Sequence, residues 1–271
     1  MRSESPDATG RPMTDANADH SLDAFHRGRF WLVQPRNAGH RAGMDAMMLA
    51  AAVPGDFSGE VADFGAGAGA AGLAVIARCG TARATLVENE PAMAEFARLT
   101  LAHPHNTELA SRARVLIADV TLAGKPRAEA GLADNAYDFV MMNPPFNASA
   151  DRATPDALKR AAHVMADGLF EAWIRSAAAV VKPRGGLAVI ARPQSLQPIL
   201  TALKGRFGSA RILPIHPRAD SAAIRIVVRA TRAARGGLSL EPPLFLHDAG
   251  SGRFSPRADA IANGLASLFG D

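Results

Sequence analysis

The fold of this chain is decided by the stretch Val61-Ala62-Asp63-Phe64-Gly65-Ala66-Gly67-Ala68-Gly69. Its first residues form an apolar run typical of a buried strand, and three alternating glycines follow at once. Glycine allows positive φ and lets the backbone pass close to a bound molecule. A helical pattern begins near Ala70, so the free N–H groups of that helix would face the same turn. The stretch therefore predicts a strand, a ligand-binding turn and a helix in succession.

Further strands and helices alternate along the chain around this turn. Strands are predicted at residues 30–33, 61–64, 84–87, 114–117, 137–142 and 187–191, and a late strand at one edge of the sheet at 224–228. Helices are predicted at residues 44–52, 70–78, 92–103 and 169–181. Strands separated by helices favour right-handed crossovers and a mostly parallel sheet with helices on both faces. We therefore expect an α/β fold.

Length and composition favour one α/β domain. The chain has 271 residues, of which 48% are hydrophobic and 21% charged. Residues 1–24 are poor in large apolar side chains and are expected to form a flexible tail. Residues 25–271 would then form a single domain, with an N-terminal segment at 25–58, a core at 59–235 and a C-terminal extension at 236–271. No apolar run is long enough to span a membrane and no secretory signal is recognisable, so we expect a cytoplasmic protein.

Two features of the composition bear on partners. Cys79 is the only cysteine, which excludes an internal disulfide framework and a CxxC metal pair, and no zinc-ligand spacing occurs among the histidines; we expect no metal. Residues 182–235 contain eleven Lys or Arg and one acid, Asp220, for a formal charge of +10. Such a run is typical either of a face that binds a polyanion or of an ordinary solvated surface. Within it, the candidates for phosphate contacts are Arg192, Lys204, Arg206, Arg218 and Arg225.

Three acids each follow one of three successive predicted strands. Asp63 lies at the end of the first, Glu88 follows the second and Asp119 follows the third. Gly67, Gly69 and Gly72 also satisfy the GxGxxG pattern of dinucleotide-binding proteins. However, a carboxylate ahead of the glycines would repel a pyrophosphate and suits the cationic amino end of S-adenosylmethionine. Glu88 would then accept from ribose hydroxyls and Asp119 from the adenine amino group.

A tetrapeptide, Asn143-Pro144-Pro145-Phe146, comes directly after the predicted strand at 137–142. Consecutive prolines fix φ and remove two N–H donors, which a rigid turn alone would explain. A turn does not explain the amide and the aromatic ring beside them at the strand end, where such sheets bind ligands. The Asn143 side chain and the Pro144 carbonyl could together accept from a planar NH₂ group, while Phe146 stacks on it. The pattern favours methyl transfer to an amino nitrogen.

Taken together, residues 63–69, Glu88, Asp119 and the tetrapeptide resemble the amino-methyltransferases of the Rossmann-like class. A motif between Gln34 and Ala46 and the segment Glu241-Pro242-Pro243-Leu244 resemble the bacterial tRNA(Val) adenine-N(6) methyltransferase family. The resemblance covers residues 25–264. It implies a class I S-adenosylmethionine-dependent methyltransferase fold, with a mostly parallel seven-stranded sheet and helices on both faces.

The resemblance also implies an activity and a set of site residues. The activity is methylation of the exocyclic amino group of an adenine in RNA, with tRNA as the expected partner. The implied catalytic residues are Asn143, Pro144, Pro145 and Phe146. The implied residues for S-adenosylmethionine are Asp63, Gly65, Gly67, Gly69, Glu88, Asp119 and Asn143. The candidate residues for the substrate are Arg41 and Asp45 in the motif between Gln34 and Ala46, together with Arg192, Arg218 and Arg225 from the basic run.

Two alternatives remain open at the level of the sequence. One is a protein glutamine methyltransferase of the release-factor type, although about 60 residues precede Val61 and such enzymes usually carry a helical domain there. The other is a non-catalytic RNA-binding relative. Trp31 and Trp173 are interpreted as core or rim residues, and Cys79 as a small buried hydrophobic residue.

Overall fold

The predicted strand, glycine turn and helix form as expected around Gly65. Strand β3 (Glu60–Phe64) ends at the turn and helix α2 (Ala70–Arg78) follows it. This computed structural model describes residues 20–36, 41–145, 156–248, 250 and 252–271, and of residues 156–167 only the backbone. Among the described residues, no helix combines the length and apolar character needed to cross a bilayer.

The remaining elements alternate along the chain much as the sequence predicts. The strands are β1 (His20–Phe25), β2 (Phe30–Pro35), β4 (Arg83–Glu88), β5 (Ala113–Ile117), β6 (Tyr137–Met142), β7 (Val181–Ala191), β8 (Phe207–His216), β9 (Arg225–Arg232), β10 (Ser239–Leu240) and β11 (Leu244–Phe245). The helices are α1 (Met44–Ala50), α3 (Pro91–Ala102), α4 (Thr107–Ala110), α5 (Gly124–Glu129), α6 (Asp156–Val180), α7 (Leu196–Leu203) and α8 (Pro256–Ala262).

The main sheet has the order β10-β8-β9-β7-β6-β3-β4-β5, and β11 also pairs with β8. Strands β7, β6, β3, β4 and β5 run parallel, whereas β9 is antiparallel to both of its neighbours. Two apolar clusters cover the two faces of the sheet. The expected α/β fold with a mostly parallel sheet is confirmed, and seven long strands are extended by the two-residue strands β10 and β11.

Two expectations about individual segments are wrong. The late strand β9 does not lie at an edge, because β8 pairs with its other side. The sequence of β8 did not suggest a strand, since Gly208, Ser209 and Pro214 interrupt its alternation. Residues 20–24 are not part of a flexible tail, because β1 pairs with β2 along its whole length. Residues 1–19 lie outside the described part of the chain.

Asn106 fastens β2 to the rest of the domain. Its side chain is fully buried, accepts from the Trp31 N–H at 2.9 Å and donates to the Trp31 carbonyl at 2.7 Å. The same amide donates to the Thr100 carbonyl at 2.7 Å, and the Thr100 hydroxyl accepts from the Val33 N–H at 3.0 Å. Buried backbone groups need such partners. On the side of β2 that does not face β1, these two side chains therefore take the place of a neighbouring strand.

We expect Asn106→Ala to lower the free energy of unfolding by about 2–4 kcal/mol, because the Trp31 N–H and carbonyl lose their buried partners. Urea denaturation followed by fluorescence measures the change. Glu108→Ala, at an exposed position in the adjacent helix, is the control and should change stability by no more than about 0.5 kcal/mol. An unaltered urea midpoint for Asn106→Ala would show that β2 is held by other contacts.

Candidate active site

A cavity of about 780 Å³ opens at the carboxyl ends of the parallel strands, within the usual size of ligand sites of about 300–1,000 Å³. Most of the residues that the sequence singles out line it together. They are Arg41, Asp45, Asp63, Gly65, Gly67, Glu88, Asp119, Asn143, Pro144, Pro145, Arg192 and Arg225. The structure therefore brings the glycine turn, the three acids and the Asn-Pro-Pro segment to one place.

Several predicted site residues do not belong to this wall. Gly69 stands at the start of α2 with φ of 94°, and a Cβ there would lie 2.7 Å from Leu86, so Gly69 permits helix packing against β4. Arg218 is exposed and Lys204 lines a separate shallow hollow on α7. Arg206 forms an ion pair with Glu171. Phe146 lies outside the described residues.

The glycine turn is held by the neighbouring strand β4. Gly65 and Gly67 adopt φ of 70° and 55°, which side chains disfavour. The N–H groups of Gly65 and Ala66 both donate to the Val87 carbonyl, at 2.9 and 3.0 Å. The backbone thus turns away from the sheet immediately after β3 and leaves space above it.

Glu88 anchors the next part of the wall. One carboxylate oxygen accepts from the Gly67 N–H at 2.8 Å, and the other accepts from the N–H groups of Asn89 and Glu90 at 3.0 Å each. A carboxylate offers about four acceptor positions, so roughly one remains for a ligand. The expectation that Glu88 serves two hydroxyls then requires them to share that position or to displace a backbone donor.

Asp63 is the most buried acid of the cavity, with 3% of its surface exposed. The pKa of its carboxyl is raised to about 7, mainly by burial; the hydrogen bond from the Gly72 N–H opposes this rise, and the negative charge of Glu88 adds a smaller part of it. That bond is 2.9 Å long. Asp63 is therefore poised to change charge near neutral pH, and a nearby cation would favour its ionised form.

Asp119 is half-buried in the same cavity wall. One of its oxygens accepts from both the N–H and the hydroxyl of Thr121, at 2.7 Å each. These bonds fix the carboxylate while leaving its second oxygen outside them. An adenine amino group is a suitable donor for that oxygen.

Asn143 stands beside the glycine turn because of strand register. Phe64 of β3 pairs with Met142 of β6, so the next residues, Gly65 and Asn143, leave neighbouring parallel strands side by side. The Asn143 side-chain oxygen is buried and has no hydrogen-bond partner among the described residues. A small rotation about the terminal torsion, which is broad for asparagine, can aim this acceptor into the cavity.

The wall beyond Asn143 carries charged side chains. Arg225 is the first residue of β9, which begins at this edge because it runs antiparallel to β7. Its guanidinium binds the carboxylate of Asp45 at 2.9 Å. Arg192 follows β7, and Arg41 pairs with Asp23 at 2.8 Å. This half of the cavity is polar and predominantly cationic.

Acids from elsewhere in the sequence neutralise part of the strongly basic run at residues 182–235. Within the described part of the chain, ion pairs join Lys182 to Asp138, Arg206 to Glu171, Arg211 to Glu241, Arg225 to Asp45 and Arg229 to Asp271. The linear charge of +10 therefore overstates the field that this segment presents to a polyanion. Of the cations in this run, Arg192 and Arg225 line the cavity.

Sequence reasoning missed the apolar part of the wall. It includes Met44, Leu49, Met93, Leu169 and Trp173. Leu169 and Trp173 are four residues apart on α6, and this spacing places them on one helix face. Trp173 is buried, as expected of a core residue, and it also lines the cavity. The periodicity of α6 could have identified the pair, but not which space it faces.

A family model described as "Methyltransferase small domain" matches residues 41–216. Among curated protein sequences, none is similar enough to this chain to count as a match.

Solved structures resemble the chain to different degrees. A predicted O-methyltransferase from Agrobacterium tumefaciens is 43% identical, covers 82% of this chain and 97% of its own, and superposes with a TM-score of 0.73. TYW2 of M. jannaschii in complex with AdoMet is 10% identical over 82% of this chain and 89% of its own, with a TM-score of 0.52. A T. thermophilus 16S rRNA methyltransferase in complex with AdoMet and guanosine is 19% identical over 78% and 50%, with a TM-score of 0.51. The last two show a common fold alone.

The match of the family model over most of the chain, the 43% identity and the acid-lined cavity beside a glycine turn lead to one assignment. The chain belongs to the methyltransferase small domain family, and it is a Rossmann-like methyltransferase that uses S-adenosylmethionine.

Proposed function

We propose that this methyltransferase acts on the exocyclic amino group of an adenine in RNA, with tRNA as the RNA. The observation that carries the proposal is the buried side-chain oxygen of Asn143 beside the glycine turn, which has no partner among the residues that the structure describes and is followed by two prolines in the same cavity wall. A buried acceptor without a donor destabilises the folded protein by about 1–3 kcal/mol. This cost indicates that a ligand supplies the missing donor.

The residues around the cavity fit the cofactor. Asp63 would face its amino group, Glu88 a ribose hydroxyl and Asp119 the adenine amino group, with Gly65 and Gly67 allowing close approach. When bound, S-adenosylmethionine supplies an electrophilic methyl group on a positively charged sulfur and leaves as S-adenosylhomocysteine.

The acceptor nitrogen of adenine is a weak nucleophile because its lone pair is delocalised into the ring. Asn143 Oδ1 and the Pro144 carbonyl would each accept one N–H, which favours a pyramidal nitrogen whose lone pair points toward the methyl carbon. The new N–C bond forms as the S–C bond breaks, and the nitrogen then loses one proton to water. Positioning and fixed dipoles supply the rate enhancement, with no strong base required.

The cationic half of the cavity suits a nucleotide rather than an isolated base. Arg192 and Arg225 lie beyond Asn143, where the phosphate of a target nucleotide could reach a guanidinium. Asp45 orients Arg225 through their ion pair. An adenine inside a duplex could not enter this recessed cavity, so the target must be unstacked or lie in a loop.

Transfer to a hydroxyl oxygen is the second candidate, because the 43% identical relative is called a predicted O-methyltransferase. Asn143 is a poor group for that chemistry, since an amide cannot remove the hydroxyl proton. Transfer to a protein glutamine is a third possibility, because a glutamine amide also presents a planar NH₂.

One experiment separates these acceptors. The purified protein is incubated with labelled S-adenosylmethionine and either total tRNA or a protein extract from cells that lack the gene, and the RNA is then digested to nucleosides. We expect label in N(6)-methyladenosine. Label in a ribose or another hydroxyl would favour the second candidate, and label confined to proteins the third.

Asn143→Ala should lower kcat by about 100- to 1,000-fold, because one of two fixed acceptors is lost. Its Kd for S-adenosylmethionine should stay within about threefold, since the acids of the wall are untouched. Calorimetry and steady-state kinetics measure the two quantities. Gln194→Ala removes another amide outside the main cavity and should leave both unchanged. Near-normal turnover in Asn143→Ala would exclude the assigned role.

Asp63 should make cofactor binding depend on pH. With its pKa raised to about 7 in the free protein, the carboxyl is mostly protonated at pH 6, and a cationic ligand must displace that proton. The Kd for S-adenosylmethionine should therefore fall about eightfold between roughly pH 6 and pH 7.5. Calorimetry in buffers of different ionisation enthalpy would also detect the released proton.

Asp63→Asn is the matched variant for this test, because it keeps an acceptor for the Gly72 N–H without a titrating charge. Its binding should be weaker at pH 7.5 and nearly independent of pH across the same range. A wild-type Kd that does not change with pH, or an equal slope in the variant, would assign the ionisation to another group.

A further inference from the structure

The cofactor and its product present nearly the same surface to this cavity. They share the amino acid, ribose and adenine groups, and differ in one methyl group and in the positive charge on sulfur. Asp63, Glu88 and Asp119 would contact only the shared groups, so none of them can discriminate between the two molecules. Discrimination requires a group close to the sulfur.

Strand register defines where that sulfur must lie. Gly65 and Asn143 leave β3 and β6 side by side, because Phe64 and Met142 are paired. A molecule that reaches Asp63 with its amino group and offers a methyl to a nitrogen at Asn143 has its sulfur over the space between Gly65 and Asn143.

Trp173 occupies the wall at this point. A Cβ on Gly65 would stand 2.8 Å from Cη2 and 3.3 Å from Cζ3 of the indole, so the six-membered ring rests directly on the glycine. The ring lines the cavity together with Asn143, and only 7% of the residue is exposed.

The indole N–H indicates why tryptophan stands here. Nε1 is buried and has no hydrogen-bond partner among the described residues, an arrangement that disfavours tryptophan as a simple core residue. Phenylalanine would cover Gly65 without an unpaired donor. Tryptophan, however, has the most favourable ring for attracting a cation. This attraction offsets the cost of the buried N–H only if a cation binds beside the ring.

We infer that Trp173 recognises the positive charge on the sulfur of the cofactor and thereby selects S-adenosylmethionine over S-adenosylhomocysteine. The inference rests on the cofactor placement given under the proposed function. Loss of the charge during methyl transfer would weaken the contact and favour product release. No described acid has this effect, because their ligand groups survive the reaction unchanged.

The test compares the Kd of each molecule, measured by calorimetry without any methyl acceptor, in wild type, Trp173→Phe and Trp173→Leu. In Trp173→Leu we expect affinity for S-adenosylmethionine to fall about 5- to 30-fold more than affinity for S-adenosylhomocysteine. Trp173→Phe keeps an aromatic ring and should hold the ratio within about threefold of wild type. An equal loss for both molecules, or no loss, would overturn the inference and leave Trp173 as a packing residue.

A second measurement avoids dependence on the folding of these variants. In a Trp31→Phe background, Trp173 is the sole tryptophan and can be replaced by progressively fluorinated tryptophans, which weaken the ring's attraction for cations at nearly constant shape. The affinity ratio should decrease with each added fluorine, and a constant ratio would overturn the inference. Because no acceptor is present, failure of the adenine proposal would leave this result intact.

Discussion

The site depends on one constraint, the parallel register of β3 with β4 on one side and β6 on the other. Parallel strands lie about 4.8 Å apart, so residues that follow paired positions leave the sheet as neighbours. Gly65 follows β3, Glu88 ends β4 and Asn143 follows β6. The hydrogen bonds from Gly65 and Ala66 to the Val87 carbonyl then fix the turn in a position that keeps this edge open. Groups far apart in the sequence therefore meet without any special loop structure.

Burial and charge are balanced differently in the two halves of the cavity. In the half that we assign to the cofactor, three carboxylates line the wall, and backbone N–H groups hold Asp63, Glu88 and Asp119. Where those bonds are insufficient, as at Asp63, the pKa rises. A cation bound beside Asp63 would favour the ionised form of its buried carboxyl. In the half that we assign to the acceptor, Arg225 and Asp45 neutralise each other at 2.9 Å, which fixes the guanidinium.

The same balancing changes how the basic run at 182–235 is interpreted. Ion pairs between exposed groups contribute little stability, about 0–1 kcal/mol each, but they do cancel charge. Asp138, Glu171, Glu241 and Asp271 come from four other parts of the chain. The charge that this run presents to a polyanion is therefore smaller than the linear count suggests.

The sequence by itself determined the order of strands and helices, the glycine turn, the three acids at strand ends and the Asn-Pro-Pro segment. These are local signals, because apolar periodicity, glycine spacing and consecutive prolines act within a few residues. Tertiary structure decided what depends on partners distant in the chain. The pairing of β1 with β2, the position of β9 inside the sheet and the packing role of Gly69 against Leu86 belong here. So do the neutralised charges and the contact of Trp173 with Gly65, since a residue more than one hundred positions away has no local signature at the turn it covers.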